Sequence, residues 1–413
     1  MHETVTGNGP VTGRHYGMDW LRIAAFALLI LYHVGMAFVP WGWHVKWTEI
    51  GELARLPMLA LNGWRLALLF VVSGYASAAL LAKSARGRFL ASRTARLMVP
   101  TIFAMAVIIP PQVWIDLMYN HGFAKGYAAF WSEDYFVAGT LHGIAMPTWQ
   151  HLWFVVYLFV YTLIVVALHA LLPARARKAI VGGFGHALGS PWLLLSLPVV
   201  WMLVRYMVLF PGVEDNHGLF DDAPAHWIFL PALLFGILLR QSDRVWGAIR
   251  ASWRGAGIAA LVATVAMLTL VWAMTGREAP LAIEALFTVL RSVQSWFTII
   301  ALLGLADRYL NRDTPARAML NEAVFPFYII HQTIIVVFIW YLRPVAMPAF
   351  AAFVLTVAVT ALGCWLFYRV GREIPIVRLL IGLKGWRAIR HDNHPGLRHD
   401  PSEHASVRSR PDQ

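Results

Sequence analysis

Residues 18–39 read MDWLRIAAFALLILYHVGMAFV, and Asp19 and Arg22 are their only Asp, Glu, Lys or Arg side chains. A helix needs ~20 apolar residues to cross a hydrocarbon core of ~30 Å, and this run supplies them. The residues before it are polar, and the run is too long for the apolar part of a cleavable signal peptide, so it is expected to stay as a span. Working outward, comparable runs lie at 60–82, 97–118, 150–172, 190–210, 226–240, 255–274, 281–305, 321–342 and 346–368. The sixth of these ten spans, 226–240, is short and carries Pro231. The chain has 413 residues, 59% apolar and only 14% charged, against about 25% charged in soluble domains. So few charges could not cover the surface of two or three soluble domains. The sequence predicts an all-α polytopic membrane protein with about ten transmembrane helices. The single cysteine, Cys364, excludes an intrachain disulfide framework and a Cys-based zinc site.

The net charge of +12 would suit nucleic acid, but its distribution fits positive-inside bias instead. Residues 83–96 hold Lys83, Arg86, Arg88, Arg93 and Arg96; residues 173–189 hold Arg175, Arg177 and Lys178. Residues 240–254 hold Arg240, Arg244, Arg250 and Arg254; residues 306–320 hold Arg308, Arg312 and Arg317. The intervening loops hold only Lys46, Arg55, Lys125, Arg277 and Arg343, and the loop 211–225 is acidic. The alternation predicts both termini in the cytoplasm and a multi-pass protein of the bacterial inner membrane, with the lipid bilayer as partner and no nucleic acid. A polar N-terminal segment is expected at 1–17, the transmembrane domain at 18–384, and a basic, disordered cytoplasmic tail at 385–413. The outer loops 40–59 and 119–149 are rich in Trp and Tyr, which suits either an interfacial belt or stacking on sugar faces.

Charges at membrane depth are costly and mark functional hypotheses. The candidates are Asp19, Arg22, Arg65, Arg205, Glu284 and Arg291, with His33 and His331. Arg22 and His33 form the most informative pair. They are eleven residues apart, which returns a helix to within about 20° of the same face. The axial separation is about 16.5 Å at 1.5 Å per residue. A cation near the cytoplasmic surface and an acid/base group in the outer half suit a long anionic substrate whose reactive end reaches across the bilayer. Acyl-CoA has that shape. Arginine offers bidentate contacts to phosphate, and histidine can deprotonate a hydroxyl near neutral pH. The plainer alternative is that Arg22 snorkels and His33 bonds a neighbouring helix.

At these residues the sequence resembles the acyltransferase-3 family of integral membrane acyltransferases. Arg22 and His33 match its first-helix signature of Arg, ten residues, His. Phe70-Val-Val-Ser73-Gly74-Tyr75 matches the second span, and Arg93-x-x-Arg96-Leu-x-x-Pro100 the basic motif of the third. His151-Leu-Trp153-Phe154 opens the fourth span, and Tyr328-Ile-Ile-His331-Gln332 resembles the late motif. The resemblance covers about residues 15–385. Within the family it is nearest to a subgroup that succinylates periplasmic glucans, through Trp43-His44-Val45, Arg65 and Arg372-Glu-Ile-Pro375. The late motif differs, with His331-Gln332-Thr333 where the subgroup has His-His-Pro. The resemblance implies that acyl-CoA, as succinyl-CoA or acetyl-CoA, is the co-substrate. The acyl group would pass to a hydroxyl of an extracytoplasmic glycan acceptor. Direct transfer and a covalent relay both stay open.

Arg22, Arg93 and Arg96 are then candidates for holding the CoA phosphates, and His33 for the general base. Arg93 and Arg96, three apart, can share one helix face. Ser73 suits close helix packing, a lining for a narrow pantetheine passage, or, with a neighbouring base, a nucleophile. Arg65 could neutralise an oxyanion, hold a succinyl carboxylate, or pair with Asp116. His151 could orient the acceptor or pair with His33, and His331 could be a second polar partner. No metal is expected, because His217 and His226 match no standard ligand spacing. The competing readings are a multi-span transporter or exporter of an anionic or glycan substrate, and a structural partner of a glycan-synthesis complex. No inverted repeat supports the transporter. Oligomeric state is not legible in the sequence.

Overall fold

The structure is a computed structural model, and it describes residues 15–383. The expected tail at 385–413 and most of the expected segment 1–17 lie outside the described residues. Among the described residues, nine helices are long and apolar enough to cross a membrane, and Ala223–Leu239 is a shorter apolar helix. Together they account for the ten expected spans. We label them α1 (Tyr16–Met36), α2 (Arg55–Leu81), α3 (Arg86–Phe103), α4 (Pro110–His121), α5 (Trp153–Leu171), α6 (Ala174–Leu188), α7 (Pro191–Leu203) and α8 (Ala223–Leu239). The set continues with α9 (Asp243–Ala273), α10 (Leu281–Tyr309), α11 (Pro315–Leu342), α12 (Ala349–Glu373) and α13 (Pro375–Leu380).

Several helices extend well past the hydrophobic runs. α3 begins at Arg86, where hydropathy alone starts the span at 97, and α9 begins at Asp243 rather than 255. Arginine is a good helix former, so the basic segments continue the helices beyond the apolar stretch. The expected loop at 173–189 also folds, as the amphipathic α6. Its Arg177 donates to the carbonyl of His169 at 2.7 Å, closing the end of α5. Lys46 does the same for α1, donating to the carbonyls of Met36 and Val39 at 2.6 and 2.8 Å. Burial pulls the Lys46 amine down to about 8.

The third expected span is interrupted. A π-helical turn, Ala104–Ile108, follows α3, and Pro110 and Pro111 then start α4. Proline has no N–H to give, so the break frees backbone carbonyls. The only strands among the described residues, β1 (Gly139–Leu141) and β2 (Ile144–Met146), form a hairpin in the loop 119–149. His142 and Gly143 at its tip have φ of 49° and 83°, the positive angles that a two-residue hairpin turn requires.

Charged groups at depth find partners. Asp19 receives a hydrogen bond from Arg317, which also donates to Asp313. Arg205 donates to Asp215 at 2.8 Å, and the Arg291 guanidinium lies 5.3 Å from the centre of the Tyr206 ring. Glu284 instead stands exposed in the first turn of α10. There its charge complements the helix dipole and needs no buried partner.

α1 lies between α2 and α11, and α2 packs against α8 through a reciprocal pair of glycines. A methyl group at Gly74 would sit 2.0 Å from the Leu233 carbonyl oxygen, and one at Gly236 would sit 1.9 Å from that of Val71. Neither distance can be relieved by a side-chain rotation, because both neighbours are backbone. Gly74→Ala or Gly236→Ala is expected to destabilise the protein by about 1–3 kcal/mol. Gly255→Ala in α9, with nothing within 4 Å, should instead gain about 1 kcal/mol of helix propensity. Thermal unfolding of the three variants in detergent, followed by intrinsic fluorescence, checks the opposite signs.

Candidate functional site

A cavity of about 980 Å³ opens beside the C-terminal half of α1 and the N-terminal half of α2. Its floor is polar, and its mouth carries the rings of Trp43, Trp149 and Trp153. His33 and Tyr32 reach it from α1, Arg65 from α2, His151 from the turn before α5, and Tyr328 and Gln332 from α11.

His33 lines the cavity, and His331 is buried behind it. His331 Nδ1 lies 2.8 Å from the carbonyl oxygen of Tyr328. A carbonyl only accepts, so Nδ1 carries the proton and donates it. Neutral His331 therefore presents a lone pair at Nε2, which lies 3.0 Å from His33 Nδ1. His33 must donate there from Nδ1, which leaves its Nε2 as the unprotonated nitrogen. One backbone carbonyl thus fixes both tautomers. A base that takes a proton at His33 Nε2 keeps its other proton on His331, as a catalytic imidazole held by an orienting acceptor does.

His151 packs edge-on to His331 at 5.1 Å between ring centres. It does not hydrogen-bond His33. Its Nε2 lies 3.2 Å from the carbonyls of Tyr328 and Ile329, and the Tyr328 hydroxyl donates back to the His151 carbonyl. The arrangement ties the start of α5 to α11 beneath the cavity, and buried His151 Nδ1 has no hydrogen-bond partner among the described residues.

Arg65 is 3% exposed. Its guanidinium lies 3.6 Å from the centre of the Tyr32 ring, and its Nε and Nη1 make no hydrogen bond among the described residues. The expected pairing with Asp116 does not form, because Asp116 is engaged elsewhere. Its carboxylate accepts from His44 Nδ1 at 2.7 Å and from Asn120 at 2.6 Å. Arg65 is thus a buried cation lining the cavity with no ion pair to a carboxylate among the described residues, a costly arrangement that an anionic ligand or a developing negative charge would relieve.

A loop, 210–222, forms one side of the mouth. Buried Asp222 holds it, accepting from the Tyr157 hydroxyl at 2.7 Å and from the His217 backbone N–H at 2.9 Å. His217 stacks on Trp153 at 4.3 Å, and burial keeps its imidazole below the usual range. His226 faces the Tyr161 hydroxyl and the Leu219 carbonyl instead, so the two histidines do not converge.

The basic candidates gather at the far end of α1. Arg22 donates to the backbone and side-chain oxygens of Asn321. Arg93 lies within Coulombic range of both Arg22 and Arg96, and its buried Nε has no hydrogen-bond partner among the described residues. Arg93 also donates to Ser77 at 3.1 Å, and Ser77 donates to the Ser73 carbonyl at 2.7 Å. Ser73 is therefore linked to the arginine end through its backbone, and its side chain is not among those lining the His33 cavity. Between the two ends, Phe26 packs against Phe154 and Tyr328, with ring centres 6.2 and 5.2 Å away.

The structure brings His33, Arg65 and His151 to one cavity, with His331 buried behind His33, and groups Arg22, Arg93 and Arg96 at the other end. Sequence reasoning gave no role to His44, Asp116 as its partner, Gln112, Gln332 or Ser77. Trp43-His44 and His331-Gln332 were visible as motifs, but the contact between them joins positions far apart in the chain.

With this geometry in place, comparison with known proteins gives a consistent result. An acyltransferase domain, family 3, matches residues 15–369. Glucans biosynthesis protein C of Shigella dysenteriae serotype 1 is 22% identical over 375 residues, 90% of this chain and 95% of that protein. The protein of the same name from Escherichia coli K12 is 21% identical over the same shares. No solved structure matches the chain. A domain match spanning nearly all the described residues, on a bundle of apolar helices, makes this chain a member of the acyltransferase-3 family of multi-pass membrane acyltransferases.

Proposed function

We propose that this protein is a membrane O-acyltransferase that moves an acyl group from cytoplasmic acyl-CoA to a hydroxyl of an extracytoplasmic carbohydrate such as a periplasmic glucan. The observation that carries the proposal is the His33–His331 pair, whose tautomers leave a basic nitrogen available at the floor of a polar, Trp-rimmed cavity. The carbohydrate reading draws on the names of the relatives and on the rings of Trp43, Trp149 and Trp153, which suit the C–H faces of sugars.

In this mechanism His33 Nε2 takes the proton of the acceptor hydroxyl as its oxygen attacks the thioester carbon. The C–O bond forms, the carbonyl oxygen gains negative charge, and Arg65 stabilises it. Collapse breaks the C–S bond, and the proton on His33 passes to the departing thiolate. Succinyl and acetyl donors both fit, since Arg65 could also face the free carboxylate of a succinyl group. Thr148 is a hydroxyl side chain lining the cavity, so direct transfer and a covalent relay are both compatible with the site. Arg22, Arg93 and Arg96 would hold the CoA phosphates, and the unpartnered Nε of Arg93 fits that use. The acyl-bearing arm must then pass Phe26, which has to rotate away from Phe154 and Tyr328.

Three outcomes are expected with purified protein in nanodiscs, using succinyl-CoA and acetyl-CoA. His33→Ala should lower thioester turnover by about 10²–10⁴-fold while leaving donor binding intact; unchanged turnover would remove His33 as the base. Arg93→Ala should raise the donor KM about tenfold, in keeping with loss of a charge-assisted phosphate contact, with kcat little changed. Phe26→Trp should slow turnover without weakening CoA binding, because it narrows the passage and leaves the phosphate end alone.

A further inference from the structure

Beside the His33–His331 pair lies a second polar chain that the mechanism does not use. Its centre is Gln332, the residue after His331 on α11, which is 3% exposed and lines the cavity. Two hydrogen-bond chains leave its amide nitrogen. On one side Gln332 Nε2 lies 2.9 Å from His44 Nε2, and His44 Nδ1 lies 2.7 Å from the Asp116 carboxylate. On the other it lies 3.1 Å from Gln112 Oε1; Gln112 Nε2 donates to the Thr333 hydroxyl at 2.5 Å, and Thr333 donates to the Ile108 carbonyl at 2.8 Å.

Both chains end on groups that can only accept. Ionised Asp116 compels His44 to donate from Nδ1, so His44 Nε2 must accept. The Ile108 carbonyl compels Thr333 to donate its one proton outward, so Thr333 must accept from Gln112, and Gln112 Oε1 must accept from Gln332. The Ile108 carbonyl needs this partner, because Pro110 and Pro111 have no N–H and the Gln112 N–H goes to Ile109. Gln332 therefore spends both amide protons in the cavity wall. Its Oε1 is the one polar atom of that side chain with no hydrogen bond to protein among the described residues.

We propose that Gln332 Oε1 is a fixed hydrogen-bond acceptor for a second hydroxyl of the acceptor substrate, with Asp116 and His44 as positioning residues that set its polarity. This rests on the acyltransferase reading above and deepens it. A hydroxyl that yields its proton to His33 has none left to donate, so a carbonyl one residue from His331 must be met by another hydroxyl of the same molecule. The site thus selects an acceptor carrying at least two hydroxyl groups, as a sugar does, over a simple alcohol.

Asp116→Asn gives a specific consequence. Asn120 Nδ2 already donates to Asp116 Oδ1 and to the Trp43 carbonyl, so it holds the oxygen of a new amide on its own side. The amide nitrogen at position 116 then faces His44 Nδ1 and forces the proton to His44 Nε2. Two donors would meet at Gln332 Nε2, and turning the amide over would set its Oε1 against Gln112 Oε1, so neither orientation is satisfied and Oε1 is no longer held toward the cavity.

The test is binding of a neutral glucose pentasaccharide to full-length protein in nanodiscs, read by quenching of the cavity tryptophans, with acyl transfer to the same sugar measured in parallel. Gln332→Met should weaken binding about tenfold, the value of one hydrogen bond to a buried group. Asp116→Asn, nearly identical in size, should weaken it comparably, and it covers the case that Gln332→Met does not fold. The double variant should be no weaker than Gln332→Met alone, a non-additivity that a merely structural role for Asp116 would not produce. Wild-type binding unaltered by either substitution, additive losses, or no binding by wild type would overturn the proposal. Binding that depends on Gln332 without acyl transfer would overturn the activity and leave this assignment standing. Acyl transfer with binding indifferent to Gln332 would do the reverse.

Discussion

The Tyr328 carbonyl accepts a hydrogen bond from His331, and that one hydrogen bond decides which nitrogen of His33 is left unprotonated. In water an imidazole samples both tautomers and exchanges partners freely. At membrane depth no solvent competes, and a polar group left unmatched costs several kcal/mol. The direction of every bond in the floor of the cavity is then dictated by its terminal acceptors. Tyr328 fixes the histidine pair, and Asp116 and Ile108 fix the amide of Gln332. The bilayer, by penalising any reversed bond, makes these orientations permanent features of the site.

The same constraint explains the traffic of charge along α1. Asp19 and Arg22 at one end are met by Arg317 and Asn321, and His33 at the other by His331. Both sets of partners come from α11, so packing α1 against α11 satisfies the polar groups at both ends. The stretch between them, where Phe26 meets Tyr328, is apolar and closed.

The bundle was legible because hydropathy and the alternation of basic loops are properties of contiguous residues. Helix ends were less so: Arg86 and Asp243 begin helices that hydropathy starts at 97 and 255. There the relevant quantity is helix propensity, which polar residues share. The pairing of Arg22 with His33 could be read from spacing on one helix. The partners of His33 and Arg65 could not, because His331, His44 and Asp116 come from other elements, and no periodicity encodes which helices meet. The Arg65–Asp116 pairing suggested by depth alone failed for that reason. Two groups at one level of the bilayer need not share an azimuth, and His44 had the nearer claim on the carboxylate.

Arg65 shows how the failure of one alternative becomes informative. Had Asp116 neutralised it, the guanidinium would have been a structural ion pair. With Asp116 committed to His44 and Asn120, Arg65 is left over an aromatic face with two buried nitrogens unmatched. The Tyr32 ring lowers the cost of that charge by cation–π attraction, worth about 2 kcal/mol or more where water is excluded, and its hydroxyl engages the guanidinium, yet Nε and Nη1 have no acceptor among the described residues. A scaffold that supports a cation from behind while leaving its donors open is preorganised for negative charge appearing in front of it. In an acyl transfer the place where such charge must appear is the thioester oxygen. On the proposed reading, the N-terminal half of α2 then contributes to the chemistry beside the histidine pair.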